Sequence, residues 1–107
     1  MEIARKVPFN IAFILDSEGI FVDASIDFCA LSGFETSELL GRSVIDFLDD
    51  SGRILFREFI KDVNPPKEKR FITGHRKKEG GLVKIDVVLT SFKINEDIWV
   101  PLKITVV

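Results

Sequence analysis

The sequence predicts an α+β domain in which two strands, several short helices and three further strands form an antiparallel sheet. In the last third of the chain, apolar residues alternate with polar ones, as in strands with one buried face. Between residues 51 and 63 the apolar residues instead recur with helical spacing. The length of 107 residues fits one domain, so we expect residues 1–107 to form a single unit.

Composition excludes several classes of protein. Hydrophobic residues make up 46% of the chain and the net charge is −2, which argues against direct nucleic-acid binding. The single cysteine, Cys29, excludes an internal disulfide and a cysteine-clustered zinc site, and we expect it to be a small buried apolar residue. Residues 1–6 lack a signal-peptide apolar region, and no apolar run reaches membrane-spanning length. These features predict a cytoplasmic protein without membrane insertion.

The first third of the chain predicts a hairpin followed by two short helices. Apolar residues 11–15 and 20–24 flank an Asp-Ser-Glu-Gly turn at residues 16–19. Ser25 suits the N-cap of a short helix and Gly33 its C-cap, because the hydroxyl accepts a backbone hydrogen bond and glycine tolerates positive φ. A second helical turn is predicted within residues 35–41.

Residues 51–63 predict the longest helix. Its apolar stripe consists of Leu55, Phe56, Phe59, Ile60 and Val63. Its opposite, polar face consists of Arg53, Arg57, Glu58, Lys61 and Asp62. Asp50 or Ser51 can cap its start, and residues 64–66 (Asn-Pro-Pro) end it. The Asp49–Asp50 pair is interpreted as an acidic helix start favoured by the helix dipole, rather than as a paired-carboxylate site.

Three strands follow, each with one apolar face. Phe71, Thr73 and His75 share a face of the first, which ends at the turn of residues 78–81. The next two strands present Val83, Ile85, Val87 and Leu89, and then Val100, Leu102, Ile104 and Val106. The basic cluster of Lys67, Lys69, Arg70, Arg76, Lys77 and Lys78 is interpreted as a solvated sheet edge rather than a phosphate site.

Two segments resemble the PAS sensor domain. Residues 14–20 (Ile-Leu-Asp-Ser-Glu-Gly-Ile) match its first hairpin, and residues 31–43 are similar to its recurring Gly-aromatic-Ser-x-Glu-Glu-Leu-x-Gly-Arg segment. Residues 47–50 look like its acidic step before the long helix, and residues 77–81 like its charged glycine turn. The resemblance runs from about Phe9 to Val107. It implies a PAS-like (profilin-like) five-stranded antiparallel sheet with helices packed on one face.

The chain departs from this family in three places. Ser25 stands where the family often has Asn, and the chain stops at Val107, short of the usual Asp-Ile-Thr-like signal. We therefore expect a sensor domain excised from a larger signalling protein. Pro101 falls in a central strand, where a missing N–H is costly, so we expect it near the start of the strand or at a bulge.

The resemblance also implies which cofactors fit. In the flavin-binding subfamily a Cys follows the Gly-Arg pair by two residues, and here that position is Val44, which excludes flavin adduct chemistry. The family's haem sensors use a His on the long helix, and residues 51–63 contain none, which disfavours haem. The absence of tyrosine excludes the tyrosine-dependent photoreceptors. We predict no cofactor.

The family's cavity lies between the helices and the inner sheet face. The candidate cavity residues are Phe47, Leu55, Phe59, Phe71, Thr73, His75, Ile85, Val87, Leu102 and Ile104. His75 either bonds a ligand or is a structural histidine bonded to backbone or water. The phenylalanines either shape a cavity for an apolar ligand, anchored by His75 or Thr73, or simply fill the core.

The opposite sheet face predicts an interface, formed by Leu82, Val88, Phe92 and Trp99. In the family such a face receives a flanking helix or a second copy, so we expect a homodimer. The leading functional hypothesis is a sensor domain, without catalytic residues, that binds a small apolar ligand or partner and relays the change to an output domain, most often a histidine kinase. The alternative is a ligand-free dimerisation or protein-interaction module of a diguanylate cyclase or transcription regulator. An isomerase-like enzyme would need a buried acid, and none of the predicted inward strand positions has Asp or Glu.

Overall fold

The computed structural model describes residues 11–107. Residues 1–6, where no signal peptide was expected, and Phe9, where the resemblance begins, lie outside the described residues. The elements follow the predicted order: β1 (Ile11–Asp16), β2 (Phe21–Ala24), α1 (Ile26–Ser32), α2 (Thr36–Leu39), a 3-10 helix (Val44–Phe47), α3 (Asp50–Lys61), β3 (Lys67–Arg76), β4 (Leu82–Ile94) and β5 (Asp97–Val106).

The five strands form one sheet in the order β2-β1-β5-β4-β3, and each pair of neighbours is antiparallel. Residues of β4 alternate between a buried face, with Ile85, Val87 and Leu89, and a more exposed face. The helices pack over the buried face, and α3 makes its main sheet contact with β3. The predicted α+β class and the five-stranded antiparallel sheet are confirmed.

The first hairpin and α1 owe their shape to the predicted turn and cap residues. The Asp16 carboxylate accepts hydrogen bonds from the backbone N–H groups of Glu18 (2.8 Å) and Ile20 (3.0 Å). The Ser25 hydroxyl accepts from the Phe28 N–H at 3.0 Å. These contacts close the turn and fix the start of α1, as the residue types predict.

Helix α3 differs from its predicted bounds. It begins at Asp50, and its N-cap is Asp49 rather than Asp50 or Ser51, because the Asp49 carboxylate accepts the Gly52 N–H at 2.8 Å. It ends at Lys61, before Val63, which still packs against the core. The predicted stripe is rotated, since Gly52, Phe56 and Phe59 are the buried residues of the helix.

Pro101 does not lie where the sequence predicted. It is the fifth residue of β5 and pairs with Ile14 of β1 in a regular stretch, away from the start of the strand. The irregularity between β1 and β5 lies instead between Ile11 and Phe13. On the other side, β4 and β5 keep the same register before and after Pro101. Val100 and Pro101 themselves have no paired residue on β4. The sheet accommodates the missing N–H through this local gap rather than through a bulge at the proline.

Phenylalanine dominates the core. Phe13, Phe21, Phe28, Phe47, Phe56 and Phe59 are all at most 2% exposed. Their rings meet mostly at steep or tilted angles, as in the edge contact of Phe21 with Phe47 at 5.5 Å between centroids. Within residues 11–107, no helix has the length and apolar character needed to cross a membrane.

Candidate functional site

His75 lies completely buried near the end of β3, among aromatic rings. Its imidazole is nearly parallel to the Phe47 ring, with centroids 5.5 Å apart, and is nearly perpendicular to the Phe28 ring, with centroids 4.9 Å apart. Phe13 is a further neighbour at 6.2 Å. β1, α1 and the 3-10 helix each place one of these rings against it. The only histidine of the chain therefore lies in an apolar enclosure.

The hydrogen bonding of His75 defines its tautomer. Nδ1 lies 2.9 Å from the backbone carbonyl oxygen of Arg76. A carbonyl oxygen only accepts, so Nδ1 holds the proton of the neutral ring and Nε2 presents a lone pair. Within the part of the chain that the structure describes, Nε2 has no hydrogen-bond partner. The side chain thus brings an unpaired acceptor into the apolar interior.

Burial keeps this histidine neutral. Removal from water lowers the pKa of His75 from its ordinary value of 6.5 to about 4, and the bond to the Arg76 carbonyl opposes this only in part. The imidazole is therefore neutral at physiological pH.

Next to His75, the carboxylate of Asp49 joins α3 to β3. Besides capping the helix, it accepts hydrogen bonds from the Thr73 hydroxyl at 3.1 Å and from the Gly74 N–H at 2.8 Å. The backbone N–H of Asp49 in turn donates to the Gly74 carbonyl at 3.1 Å. We call this set of bonds the Asp49 clasp. It fixes the start of the longest helix to the strand that contains His75.

The clasp changes the acidity of Asp49. Burial alone would raise the pKa of this carboxyl, but the backbone N–H groups of Gly52 and Gly74 stabilise the charged form. The hydroxyls of Ser51 and Thr73 add to this effect, and the pKa is lowered below its ordinary value. Asp49 is therefore an ionised structural acceptor.

Two glycines make this close approach possible. A Cβ atom on Gly52 would lie 1.9 Å from the Thr73 Oγ1 atom. A Cβ atom on Gly74 would lie 2.9 Å from the Asp49 Oδ2 atom. Neither position has room for a side chain, because helix and strand are in near contact there.

The structure places nine of the ten predicted cavity residues in or against the core. Seven are buried, namely Phe47, Phe59, Thr73, His75, Ile85, Val87 and Leu102, while Phe71 and Ile104 are partly buried and pack against them. Leu55 is the exception. It lies half-buried between the inward and outward faces of α3, outside the packed cluster, because the helix turns Phe56 and Phe59 inward.

Two of these residues also line open clefts. Ile104 borders a cleft of about 240 Å³ between α1 and the ends of β1 and β5, together with Phe28 and Leu31. Thr73 borders a cleft of about 270 Å³ beside the Asp49 clasp. The hydroxyl of Thr73 is bonded within the clasp, so His75 is the one of the two predicted anchors that has a polar atom without a partner among the described residues.

The four predicted interface residues lie on the outer sheet face. Leu82, Val88 and Phe92 are an even number of residues apart along β4 and therefore share one face of the strand. Trp99 of β5 pairs directly with Phe92. Leu82 is ten residues from Phe92 along the strand, so the four do not form one compact patch. Ile14 and Pro101 extend the apolar surface beside Trp99 across β1 and β5.

Much of the basic cluster is paired. Arg70 binds Asp86 through two hydrogen bonds, of 3.0 and 2.7 Å, and Lys78 binds Glu38 at 2.6 Å. Lys77 lies 3.0 Å from Glu79. Cys29 is partly buried, with its Sγ 3.4 Å from the Thr36 hydroxyl.

The order of elements, the sheet and the position of α3 agree with one family of known folds. The family model named PAS fold matches residues 10–100. The chain belongs to the PAS family. PAS domains are sensory modules, and the family predicted from residues 14–20 and 31–43 is confirmed.

Solved PAS structures resemble the whole domain. The PAS domain of an HTR-like protein from Haloarcula marismortui has a TM-score of 0.79 at 20% identity, covering 99% of this chain and 87% of that one. The PAS-B domain of Drosophila melanogaster Cycle, with bound ethylene glycol, has a TM-score of 0.78 at 22% identity, covering 89% and 99%. A PAS domain from a two-component sensor histidine kinase has a TM-score of 0.76 at 16% identity, covering 99% and 95%. The search of curated proteins finds no match.

Sequence reasoning missed part of the PAS domain's interior. Phe13 and Phe28 enclose His75 but were predicted only as members of a strand and a short helix. The Asp49 clasp was missed as well. Its signal was the pair Gly52 and Gly74, since glycine inside a helix and inside a strand indicates a close approach of backbones.

Proposed function

We propose that this PAS domain is the non-catalytic sensory input domain of a cytoplasmic signal-transduction protein. The first candidate for the class of that protein is a sensor histidine kinase. The domain binds a small, mostly apolar ligand or a partner and relays the change to an attached output domain. The likeness to PAS domains from an HTR-like protein and from a sensor histidine kinase supports this choice of output. The proposal includes neither flavin nor haem, because Val44 replaces the adduct-forming cysteine and α3 contains no histidine.

The observation on which the proposal rests is the unpaired Nε2 atom of His75. A buried acceptor without a partner costs about 1–3 kcal/mol, and a ligand that donates one hydrogen bond recovers this cost. The surrounding rings of Phe13, Phe28 and Phe47 favour an apolar body. The fitting ligand is therefore a neutral molecule with one O–H or N–H donor.

The contacts around His75 support a route for the relay. Phe47, which is stacked on the imidazole, ends the 3-10 helix, and only Leu48 separates it from the cap Asp49. A ligand that displaces the Phe47 ring therefore shifts the chain that enters the Asp49 clasp. The ligand selects one arrangement of α3 against β3 from those already populated.

The second candidate function is a ligand-free interaction module, as in a diguanylate cyclase or transcription regulator. The packing of the predicted cavity residues favours it, because Phe47 and His75 already contact each other and both are at most 2% exposed. The apolar outer face beside Trp99 supplies its binding surface.

Native mass spectrometry of the full chain, purified from its source cells, tests the two functions against each other. The sensory proposal predicts a small-molecule adduct on the wild type that is absent from His75→Phe. Cyclohexanol and benzyl alcohol, each with one hydroxyl on an apolar body, are donor probes, and the nitrogen NMR signal of His75 Nε2 should respond to them. An adduct-free wild type whose Nε2 signal ignores both alcohols supports the interaction module instead.

A further inference from the structure

We propose that the cleft between α1 and the ends of β1 and β5 is a second small-molecule site, which binds a short-chain primary alkylammonium ion. The cleft lies on the helix side of the sheet and has a volume of about 240 Å³. The site is separate from the one proposed at His75. The inference rests on the apolar walls of the cleft, on one carboxylate that lines it, and on a ring that it shares with the His75 enclosure.

The cleft exists because β5 extends beyond the helices that cover the inner face of the sheet. Along that face Val100 is fully buried and Leu102 is 3% exposed, whereas Val106 is 54% exposed. Helix α1 borders this end of the sheet, and its seven residues form only two turns. The end of the inner face is therefore left partly uncovered within residues 11–107.

Apolar side chains form most of the wall. They come from β1, α1 and β5 and are Ala12, Phe28, Leu31, Ile104 and Val106. Such a wall binds an alkyl chain, because each methylene that leaves water contributes up to about fourfold in affinity. The cleft is smaller than the pockets of about 300–1,000 Å³ that hold drug-sized molecules, so the fitting chain is short.

Asp27 gives the cleft its charge. Among the described residues that line the cleft, it is the one with a charged side chain. It is exposed in the first turn of α1 and has no hydrogen bond or ion pair within residues 11–107. The Ser25 hydroxyl also lines the cleft; it accepts the Phe28 N–H at 3.0 Å and keeps a second lone pair.

These acceptors favour a cation. An ammonium group has three N–H donors and a positive charge, so it complements the Asp27 carboxylate and the Ser25 hydroxyl. A carboxylate ligand of the same length is repelled, and a neutral alcohol lacks the charge. The walls and Asp27 together therefore define the ligand class as a primary amine on a short apolar chain.

Phe28 joins the cleft to the interior. Its ring lines the cleft, and its centroid lies 4.9 Å from that of the His75 imidazole. The side chain is only 1% exposed, so an alkyl chain in the cleft contacts the ring without reaching the imidazole itself. Occupation of the cleft should therefore change the NMR signals of the Phe28 ring, while replacement of His75 should leave the binding intact.

A matched ligand series tests the site on the full chain by NMR titration. Pentylammonium, pentan-1-ol and hexanoate have the same five-carbon chain and differ in charge. Pentylammonium should bind about fivefold tighter than pentan-1-ol and shift the methyl signals of Leu31, Ile104 and Val106, and hexanoate should shift none of them. Equal affinity for the amine and the alcohol, or no shift of these methyl groups with the amine, overturns the inference.

A shorter amine tests the apolar wall. Ethylammonium has the same charge but three fewer methylenes, so it should bind about tenfold more weakly than pentylammonium. Equal affinity of the two amines would show a surface ion pair without a site for the chain, and would overturn the inference as well.

Charge removal tests the role of Asp27. Asp27→Asn should weaken pentylammonium binding about fivefold. Asp46→Asn is the matched control, since Asp46 is likewise an exposed acid in the first turn of a short helix, and it should leave the affinity unchanged. Equal effects of the two variants would contradict a contact with Asp27.

His75→Phe separates this site from the sensory proposal. The variant should lose the small-molecule adduct expected at His75 but bind pentylammonium as the wild type does. Loss of amine binding in His75→Phe overturns the separate site. A wild type that ignores the amine leaves the sensory proposal standing, because that proposal depends on the His75 adduct.

Discussion

The Oδ2 atom of Asp49 lies 2.8 Å from the backbone nitrogen of Gly74 and accepts its hydrogen bond. The other oxygen of the same carboxylate caps α3 through Gly52. One side chain thus satisfies a donor of the edge strand β3 and a donor of the helix start. The relative position of α3 and β3, and with it the setting of His75, depends on this residue.

Replacement of Asp49 by Ala should destabilise the domain strongly. The variant loses the helix cap and leaves the partly buried N–H of Gly74 and the Thr73 hydroxyl without their acceptor. The expected loss in the free energy of unfolding is about 2–4 kcal/mol. Urea denaturation measures it.

Asp50→Ala is the matched control, because the Asp50 side chain is fully exposed and its ion pair with Arg53 is a long one, 3.8 Å between the nearest charged atoms. Its stability should differ from wild type by less than about 0.5 kcal/mol. Equal effects at positions 49 and 50 would show that the clasp contributes nothing beyond a general acidic helix start.

Gly52→Ala should destabilise the domain although alanine is the better helix former. Alanine gains about 1 kcal/mol of helix propensity, but its Cβ would meet the Thr73 hydroxyl. We expect a net loss of about 2 kcal/mol. In a Thr73→Ala background the same change should cost less, and additive costs in this double-mutant cycle would contradict the close contact.

Gly19 and Gly41 separate backbone strain from steric contact. Both have positive φ, +84° and +83°, but a Cβ on Gly19 would lie 2.9 Å from the Phe56 ring, whereas a Cβ on Gly41 meets nothing within 4 Å. Gly41→Ala should cost about 1 kcal/mol from strain alone. Gly19→Ala should cost about 1–2 kcal/mol more in thermal or chemical denaturation. A difference near zero would mean that Phe56 moves aside freely.

The buried neutral His75 should make the domain sensitive to acid. The pKa of His75 is about 4 in the folded chain and 6.5 when exposed, so the unfolded state binds the proton first as the pH falls. The stabilisation from keeping the ring neutral is complete above pH 6.5 and is lost between pH 6.5 and 4. The free energy of unfolding should drop by about 2 kcal/mol from pH 8 to pH 5.

His75→Phe should remove this slope, because phenylalanine does not titrate. The window from pH 6.5 to 5 isolates the histidine, since Asp49 and Asp86, whose pKa values are lowered, lose their contributions only below it. A variant that keeps the wild-type slope in this window would place the acid sensitivity elsewhere.

Local patterns were sufficient to predict most of the fold. Alternation placed Val87 inward and Val88 outward, and the Asp16 turn, the Ser25 cap and the Gly33 cap follow from residue type alone. These features depend on contacts within a few residues, which a single sequence records. Leu55 was predicted to face inward but is only half-buried, because a helical stripe several residues wide does not show how far the helix is rotated against the sheet.

The setting of His75 could not be predicted, since it depends on contacts between distant parts of the chain. Phe13, Phe28 and Phe47 come from three separate elements, and only the packed fold brings them together. The position of Pro101 depends likewise on its neighbours on both sides. Periodicity predicted a strand there but not that the adjacent pairing skips the proline.

The position of Trp99 has a practical consequence. The chain has one tryptophan and no tyrosine, and that indole lies partly exposed on the outer face. Intrinsic fluorescence is therefore a label-free optical signal from a single known location. A shift of the emission to shorter wavelength reports that this surface has been covered, whereas a molecule that enters beside His75, on the opposite side of the sheet, leaves the colour of the emission unchanged.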